Sequence, residues 1–285
     1  MMGKRWDIND FEQRTGGGAN MVGFEPGTPD DREIAAYQAY VRDTLETAEG
    51  ANGKALVMGM TVRVRQAMHD LGLAVTCMDI SEGAVTYLRN ALPDAFRARE
   101  TVLNDDWMNL PAALPGPVSA IVGDGVFSNI LSLAQQNVLL GRLRETLVPG
   151  GALVTRNFVM APDFPFDAFD PDRLLARYRA GELNDGEFAH GFRIFSFWDK
   201  AFDRETLLLD NKIIFEEIDN WHDDGRLSEA EYRIVRQQYF GGLTIMPSQA
   251  DWEEMLRRNG FTFEMTTLEG RLWYQYGPIY RCTPT

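Results

Sequence analysis

The sequence is short of cysteine, of positive charge and of long hydrophobic runs, and each shortage excludes a class of protein. Its 285 residues contain two cysteines, Cys77 and Cys282, which cannot build a disulfide framework or a cysteine-rich metal cluster. No spacing of histidine, cysteine and carboxylate residues resembles a metal site, so no metal is predicted. No apolar stretch reaches the roughly 18 residues of a membrane span, and no apolar run follows the basic N-terminal residues as in a secretion signal. We therefore expect a cytoplasmic protein without membrane partners.

Acidic residues outnumber basic ones: the chain has 42 Asp and Glu and 28 Lys and Arg, which gives a formal net charge of −14. Nucleic-acid binding draws most of its free energy from cationic side chains that meet phosphates, and no stripe of Lys or Arg is present to do that. A small molecule is therefore the better candidate for a partner. A simpler interpretation, that the acidity keeps the protein soluble, accounts for the charge equally well. The sequence leaves the oligomeric state open.

What the chain does contain is an alternation of short apolar runs with helical patterns. The strand-like runs lie at 54–58, 74–78, 99–103, 118–122 and 152–157. Helical patterns lie at 62–71, 82–91, about 130–147 and 248–260, and a closing strand pair lies at 261–268 and 280–283. This order predicts an α/β fold: a Rossmann-like, doubly wound, mostly parallel sheet with a C-terminal antiparallel strand pair. Such sheets bind ligands at the carboxyl ends of their strands.

Two segments depart from this alternation. Residues 1–28 are glycine-rich and are predicted to form a mobile flap, or a disordered terminus. Thr28 would cap the helix that follows. Residues 158–240 hold 16 of the 32 aromatic residues of the chain, which predicts a cover over the substrate, or a subdomain that needs these rings for its own core. The predicted parts are a flap and helix, a sheet domain in two pieces and a large aromatic-rich insertion, at 1–49, at 50–160 with 245–285, and at 161–244.

Two residues of the alternating pattern indicate a nucleoside cofactor. The first strand breaks at Gly59 and passes directly into a helix, and the second strand ends on Asp79, 20 positions later. The glycine lets the backbone approach a ligand closely, and the carboxylate can accept hydrogen bonds from a ribose diol. A nicotinamide cofactor is disfavoured because the loop lacks the Gly-x-Gly-x-x-Gly phosphate cradle.

Five blocks, taken in order, resemble the class I S-adenosylmethionine-dependent methyltransferases. They are Val57-Met-Gly-Met-Thr61, Met78-Asp-Ile-Ser81, Asn104-Asp-Asp-Trp107, Ile121-Val-Gly-Asp-Gly125 and Leu147-Val-Pro-Gly-Gly-Ala-Leu-Val154. A Gly-Phe step before the terminal strands, Asn259-Gly-Phe261, also fits. No single block is specific, but their common order is informative.

The resemblance implies S-adenosyl-L-methionine as the cofactor and assigns residues to it. Residues 59–61 would pass beneath its amino-acid and ribose portions. Asp79 and Asp106, each with the apolar residue that follows it, would bind the ribose hydroxyls and the adenine, and 123–125 would lie closest to the methyl group. The full set is Gly59, Met60, Thr61, Asp79, Ile80, Asp106, Trp107, Gly123, Asp124 and Gly125.

The first loop departs from the usual pattern of that family. Relatives have an acidic residue two places before the first glycine and further glycines two and four places after it. This chain has Val57, Thr61 and Arg63 there, which resembles a sub-branch with Gly-Met-Thr in place of Gly-x-Gly. The Thr61 hydroxyl, the start of the next helix and Arg63 would then hold the methionyl carboxylate.

Three polar residues near the ends of the fourth and fifth strands are candidates for catalysis. Asp124 would orient the acceptor or take its proton, or it would cap the turn that follows. Asn129 would present an amide to the substrate, or it would be the N-cap of the leucine-rich helix. Arg156 would clamp a substrate carboxylate with two hydrogen bonds, or it would form a structural ion pair.

The three histidines do not cluster in the sequence. His69 lies on the helix after the first loop and is expected to be exposed. His190 and His222 lie in the insertion, where either could act as a general base, since imidazole titrates near neutral pH. Tyr274 and Tyr276, near the terminal strands, are expected to pack in the core.

These features together predict a transferase: an S-adenosylmethionine-dependent methyltransferase, in class EC 2.1.1, that acts on a small molecule. Such an enzyme mainly aligns donor and acceptor and excludes water, because the sulfonium already activates the methyl group. One alternative keeps the cofactor but transfers or cyclises its aminocarboxypropyl arm and releases methylthioadenosine. A further alternative is a non-catalytic protein that binds the cofactor.

Overall fold

The structure of the chain is a computed structural model that describes residues 27–236 and 242–285. Of the flap predicted over 1–28, residues 1–26 lie outside the described residues. The described chain folds around a seven-stranded sheet, with a three-stranded sheet in the insertion. Within these residues, no helix combines the length and the apolar character that crossing a membrane requires.

The secondary structure follows the predicted alternation closely. The strands of the described residues, β1 to β10, are Lys54–Met58, Ala74–Met78, Thr101–Leu103, Val118–Asp124, Leu147–Arg156, Phe202–Asp203, Leu208–Asp210, Leu243–Ile245, Phe261–Thr266 and Ile279–Pro284. The α-helices, α1 to α11, are Asp31–Thr47, Val62–Asp70, Glu82–Arg89, Asp94–Arg97, Leu133–Thr146, Pro171–Arg179, Asp185–Ile194, Trp198–Ala201, Asn211–Asp223, Glu229–Arg236 and Gln249–Arg258. Short 3₁₀ turns lie at Trp107–Asn109, Phe127–Asn129, Phe166–Phe169 and Leu272–Gln275.

The large sheet confirms the predicted fold class. Its strand order is β3-β2-β1-β4-β5-β10-β9. The five strands from β3 to β5 run parallel, and β10 is antiparallel to both β5 and β9. The chain order reverses between β1 and β4, and doubly wound sheets bind ligands at such a switch point.

Alternate strand residues pack on opposite faces of the sheet, and helices cover both faces. Ala55 and Val57 of β1 join a core cluster with residues of α1, α2 and α3. Leu56 and Met58 point the other way and join a cluster with α5 and α11. Because both faces of β1 are buried, its sequence is a continuous apolar run rather than an alternating one.

A third cluster, which we name the aromatic cluster, fills the insertion and includes a short C-terminal segment. Its buried rings come from the insertion and from the 3₁₀ turn near residue 273; they include Phe169, Phe188, Phe192, Phe195, Phe197, Trp198, Trp221, Trp273, Tyr274 and Tyr276. The rings of Phe169 and Phe195, for example, have centroids 4.2 Å apart. Most of the aromatic residues concentrated in the insertion therefore form its core, as the second of the two interpretations expected.

The insertion leaves the sheet domain and rejoins it at one place. The Met160 N–H donates to the Pro247 carbonyl at 2.9 Å, and the Gln249 N–H donates to the Met160 carbonyl at 2.8 Å. Close to this junction, β8 packs against the 3₁₀ turn Phe127–Asn129 that follows β4. The insertion therefore lies against the carboxyl end of β4.

Two predicted helix starts are wrong. The N-cap of α1 is Asp30 rather than Thr28: its carboxylate accepts the N–H groups of Arg32 and Glu33, and the Glu33 carboxylate accepts the Asp30 N–H in return. This capping box satisfies three amide groups, which a threonine two residues earlier cannot reach. The N-cap of α5 is Ser132 rather than Asn129, because the chain first completes a 3₁₀ turn.

β5 also begins earlier than predicted. It starts at Leu147 rather than at 152 and takes in the segment 149–151. The pairing is irregular there, since Val118 pairs with Leu147 and Ala120 pairs with Ala152. This segment forms a bulge inside the strand, with Gly150 at φ +75°.

His69 is buried rather than exposed, because a polar pocket lies beneath α2. Its ring stacks on Phe96 with centroids 5.0 Å apart, and its Nε2 lies 3.7 Å from the Glu100 carboxylate. Burial lowers the pKa of His69. The same carboxylate forms a buried ion pair with Arg65 and accepts the thiol of Cys77 at 3.1 Å. Cys77 is buried.

Two helix caps with different surroundings lead to a stability prediction. Asp30 caps α1 and also accepts the buried Tyr274 hydroxyl at 2.5 Å, whereas the Ser248 hydroxyl bonds only within the first turn of α11, where it accepts the Asp251 N–H and donates to the Asp251 carboxylate. Losing a cap costs about 1 kcal/mol, and a buried hydroxyl without an acceptor adds about 1–3 kcal/mol. We expect Asp30→Ala to lower the free energy of unfolding by about 2–4 kcal/mol and Ser248→Ala by about 1 kcal/mol in urea. Equal losses would contradict the dual function of Asp30.

Candidate functional site

The carboxyl ends of β1 and β2 bring Gly59 and Asp79 together. The Gly59 N–H donates to the Met78 carbonyl at 2.8 Å, and Gly59 has φ +86°, a left-handed conformation that favours glycine. A Cβ added at Gly59 would lie 3.8 Å from Asp79 Oδ2. The glycine and the carboxylate that the sequence paired are therefore neighbours at the switch point of the sheet.

Asp79 presents a carboxylate whose second oxygen is available to a ligand. Oδ1 accepts the Ser81 N–H at 2.8 Å, whereas Oδ2 accepts no hydrogen bond from residues 27–236 or 242–285. Burial raises the pKa of Asp79 to about 6, and the Ser81 N–H offsets this only in part. A half-buried carboxylate without a cationic partner among these residues is suited to accept hydrogen bonds from neutral donors.

In the first loop, Arg63 makes contacts that differ from the prediction. Met60 is buried in the core, so a ligand would meet its backbone. Thr61 is the N-cap of α2, but its hydroxyl does not cap the helix. The Arg63 guanidinium instead donates to the Pro29 carbonyl at 2.8 Å and forms an ion pair with Asp31. Arg63 therefore binds the start of α1, and its guanidinium is already paired there rather than unpaired for a methionyl carboxylate.

The region predicted to hold adenine is built on the end of β2. The Trp107 indole N–H donates to the Met78 carbonyl at 2.7 Å, and the Asn104 amide donates to the Asp79 carbonyl at 2.9 Å. Asp106 accepts the Met108 N–H at 2.9 Å and keeps a second oxygen that no described residue occupies. Ile80 and Trp107 are both half-buried, so each retains surface that a flat ring can cover.

Gly123 and Gly125 are required by local packing at the end of β4. A Cβ on Gly123 would come within 2.8 Å of a Val126 methyl group. Gly125 has φ +62°, and its Cβ would lie 3.1 Å from the Phe158 ring. These contacts explain both glycines without a ligand; their predicted closeness to the methyl group stays a prediction.

Asp124 and Arg156 belong to a buried ion cluster, which also contains Glu33 of α1. Arg156 donates to both oxygens of Asp124, at 2.7 and 3.1 Å, and to Glu33 at 2.6 Å. The side chains of Glu33, Asp124 and Arg156 are 1%, 2% and 1% exposed. The geometry of Arg156 is that of the structural ion pair, the second of its two interpretations. The functions in catalysis predicted for Asp124 and Arg156 stay predictions.

Tyr37 connects this ion cluster to the backbone of both strands. Its hydroxyl lies 3.0 Å from the Gly123 carbonyl and 3.3 Å from the Asp124 carboxylate, and it accepts the Arg156 N–H at 2.8 Å. Tyr37 lies on the buried face of α1. The sequence contains a signal for the cluster, because Glu33 precedes Tyr37 by four residues and thus shares that face.

Burial sets the protonation equilibria of the ion cluster. It raises the pKa of Glu33 and of Asp124, while the positive charge of Arg156 lowers both in part. For Arg156, burial lowers the pKa, but the two carboxylates outweigh it and hold the value above the ordinary one. Arg156 is therefore permanently cationic, and the titratable members of the cluster are the two acids.

Among the three catalytic candidates, Asn129 forms the fewest side-chain hydrogen bonds. It is half-buried at the end of the 3₁₀ turn after β4, and its amide nitrogen donates to the Gly125 carbonyl at 3.3 Å. Its amide oxygen accepts no hydrogen bond within the described parts of the chain. This arrangement leaves an acceptor group beside Gly125.

The structure separates the two histidines of the insertion. His222 is partly exposed and lies against surface carboxylates, whereas His190 is buried and its Nδ1 lies 2.6 Å from the Tyr276 hydroxyl. Burial, and then the positive charge of nearby arginines, lowers the pKa of His190 well below its ordinary value. The Phe158 ring contacts both the His190 ring, with centroids 5.8 Å apart, and the Arg156 guanidinium, 5.1 Å from its centroid. His190 is therefore a neutral imidazole close to the end of β5.

Known proteins were compared with this chain. No protein-family model matches the chain, and no curated protein matches it. Solved structures do match. The CcbJ methyltransferase of Streptomyces caelestis is 14% identical, with 90% of this chain and 96% of that chain covered and a TM-score of 0.53. The magnesium protoporphyrin IX methyltransferase ChlM of Synechocystis PCC 6803, with bound SAH, is 12% identical, with 98% of each chain covered and a TM-score of 0.50.

A third match has a different description. It is a Rhodobacter sphaeroides protein provisionally described as a Zn-dependent alcohol dehydrogenase, 16% identical, with 91% of this chain and 92% of that chain covered and a TM-score of 0.51. In the described ranges here, no group of three or more His, Cys, Asp and Glu side chains is placed to hold a metal ion. At such identities the likeness concerns the fold alone, and the chain has the Rossmann-like fold that these methyltransferases share.

Proposed function

We propose that the protein is a cytoplasmic S-adenosylmethionine-dependent methyltransferase that acts on a small molecule. The observation that carries the proposal is Asp79, whose uncompensated carboxylate lies beside Gly59 at the switch point of the sheet. A ribose diol provides the two neutral donors that such a carboxylate lacks. The likeness of the fold to CcbJ and to ChlM supports the same reading.

The residues at the strand ends fit the parts of this cofactor. S-adenosylmethionine would supply a methyl group already activated by a sulfonium. Asp79 would bind the ribose hydroxyls, Asp106 would accept a hydrogen bond from the adenine amino group, and Ile80 and Trp107 would cover the purine ring. The backbone at Gly59 and the Thr61 hydroxyl, at the start of α2, would face the amino-acid end.

The acceptor would lie between the end of β4 and the insertion. Asn129, whose amide oxygen accepts no hydrogen bond from the described residues, would contact the acceptor. Asp124 and Arg156 would act by fixing the backbone of 123–125, since their charged groups are turned toward each other. The subdomain at 161–244 would cover the pair and exclude water, which is the main contribution an enzyme makes to a displacement of this kind.

We expect Asp79→Ala to abolish most cofactor binding. Hydrogen bonds to a charged group contribute about 1.5–3 kcal/mol each. Losing both ribose hydrogen bonds should therefore raise the Kd for S-adenosylmethionine about 100-fold or more, measured by isothermal titration calorimetry. Asp70→Ala, at the exposed end of α2, is the matched control and should leave the Kd unchanged. An unchanged Kd in Asp79→Ala would overturn the proposed site.

Cofactor binding should also depend on pH through Asp79. The carboxylate accepts both ribose hydroxyls only when ionised, and its pKa in the protein is about 6. We expect the Kd to rise as the pH falls below 6, by up to about tenfold per pH unit. Asp79→Asn should show a smaller rise over the same range, because its amide does not titrate. A flat profile for the wild-type protein would contradict this assignment.

Product analysis should distinguish methyl transfer from the alternatives. Arg63 is held at the start of α1, so the amino-acid end of the site differs from the expected pattern and favours the arm-transfer reaction as second candidate. We expect incubation with labelled S-adenosylmethionine and a metabolite extract to yield S-adenosylhomocysteine. Methylthioadenosine would identify transfer or cyclisation of the aminocarboxypropyl arm, and binding without any turnover would identify a non-catalytic protein.

A further inference from the structure

The ion cluster formed by Glu33, Asp124 and Arg156 contains more acid than base. Two carboxylates share one guanidinium, and all three side chains are almost completely buried. Among the described residues, no other Lys or Arg lies within ion-pair distance of either carboxylate. With both acids ionised, the cluster carries one negative charge in excess.

An excess charge of this kind is unfavourable in the protein alone. Removing an ion from water is costly, and a buried pair offsets that cost only when charge and hydrogen bonds balance. The pKa values of Glu33 and Asp124 are both raised, with burial as the largest cause. The cluster is therefore in a state that an additional nearby cation would stabilise.

The cluster lies next to the strand ends where the cofactor would bind. Gly123 of β4 pairs with Met58 of β1, and Met58 directly precedes Gly59. Asp124 follows Gly123; its side chain is 2% exposed, but the residue as a whole is only half-buried. The exposed part of Asp124 is therefore its backbone, and its carboxylate is buried at the end of β4, beside the end of β1.

We infer that the Glu33–Arg156–Asp124 cluster supplies the negative charge that balances the sulfonium of S-adenosylmethionine. This inference rests on the proposed function and deepens it. A sulfonium is a permanent cation, and opposite charges attract more strongly in a weakly polar interior than in water. The attraction acts on the charged cofactor and vanishes when the methyl group leaves, because the thioether that remains at the sulfur is neutral. The cluster thus favours the substrate form over the product form.

The test compares two ligands that differ in this one charge. The Kd values for S-adenosylmethionine and S-adenosylhomocysteine are measured by calorimetry at pH 7.5 for the wild-type protein and for Glu33→Gln. We expect the variant to weaken S-adenosylmethionine binding about tenfold more than S-adenosylhomocysteine binding, a change of about 1.4 kcal/mol in their difference. A general structural effect would weaken both ligands equally and would overturn the inference.

Glu187→Gln is the matched control. Glu187 is the third residue of α7 and forms the same capping box with Asn184 that Glu33 forms with Asp30. It is also buried, but it lies in the insertion and outside the ion cluster. We expect this variant to keep the wild-type ratio of the two Kd values, so that a ratio changed equally in both variants would count against the inference.

A second variant keeps the test decisive if Glu33→Gln does not fold. Asp124→Asn also removes one negative charge and retains an oxygen that can accept from Arg156. It should change the Kd ratio in the same direction, and an unchanged ratio would overturn the inference. If the wild-type protein binds neither ligand, the proposed function fails instead, and the two failures are thereby distinguished.

Discussion

A buried ion cluster joins α1 to the ends of β4 and β5, and the geometry of the candidate site depends on it. Arg156 binds Glu33 and Asp124 at once, and Tyr37 ties the same helix to the backbone of both strands. Removing one partner of a buried pair typically costs about 3–5 kcal/mol, because it leaves an uncompensated charge. The start of α1 and the two strand ends therefore form one rigid unit around which the rest of the site is arranged.

Local patterns in the sequence predicted the parts of the fold that depend on neighbouring residues. The bounds of β1 and β2 agree with the structure because strands buried on both faces are short apolar runs ended by a glycine or a carboxylate. Gly59 and Asp79 could be paired from the sequence because adjacent parallel strands bring their carboxyl ends together.

The features that the sequence did not predict arise from contacts between distant residues. Arg156 and Glu33 are 123 positions apart, so no local pattern could show that the arginine forms an ion pair with an acid of α1. His69 is buried because Glu100, brought in from another segment, makes its pocket polar. Asn129 does not cap α5, because the chain first closes a 3₁₀ turn. Composition showed that the insertion is rich in aromatic rings, but only packing shows that these rings mainly contact one another.

The junction at Met160 and Pro247 has a consequence for how such proteins could diversify. A segment whose two ends meet can be lengthened, shortened or exchanged without disturbing the sheet beneath it. The aromatic cluster, however, also takes Trp273, Tyr274 and Tyr276 from the C-terminal part of the chain. A chimaera that received 161–244 from a relative would place foreign side chains against these rings. The stretch 272–276 must therefore evolve together with the insertion, and a graft that keeps this packing intact has to include both stretches.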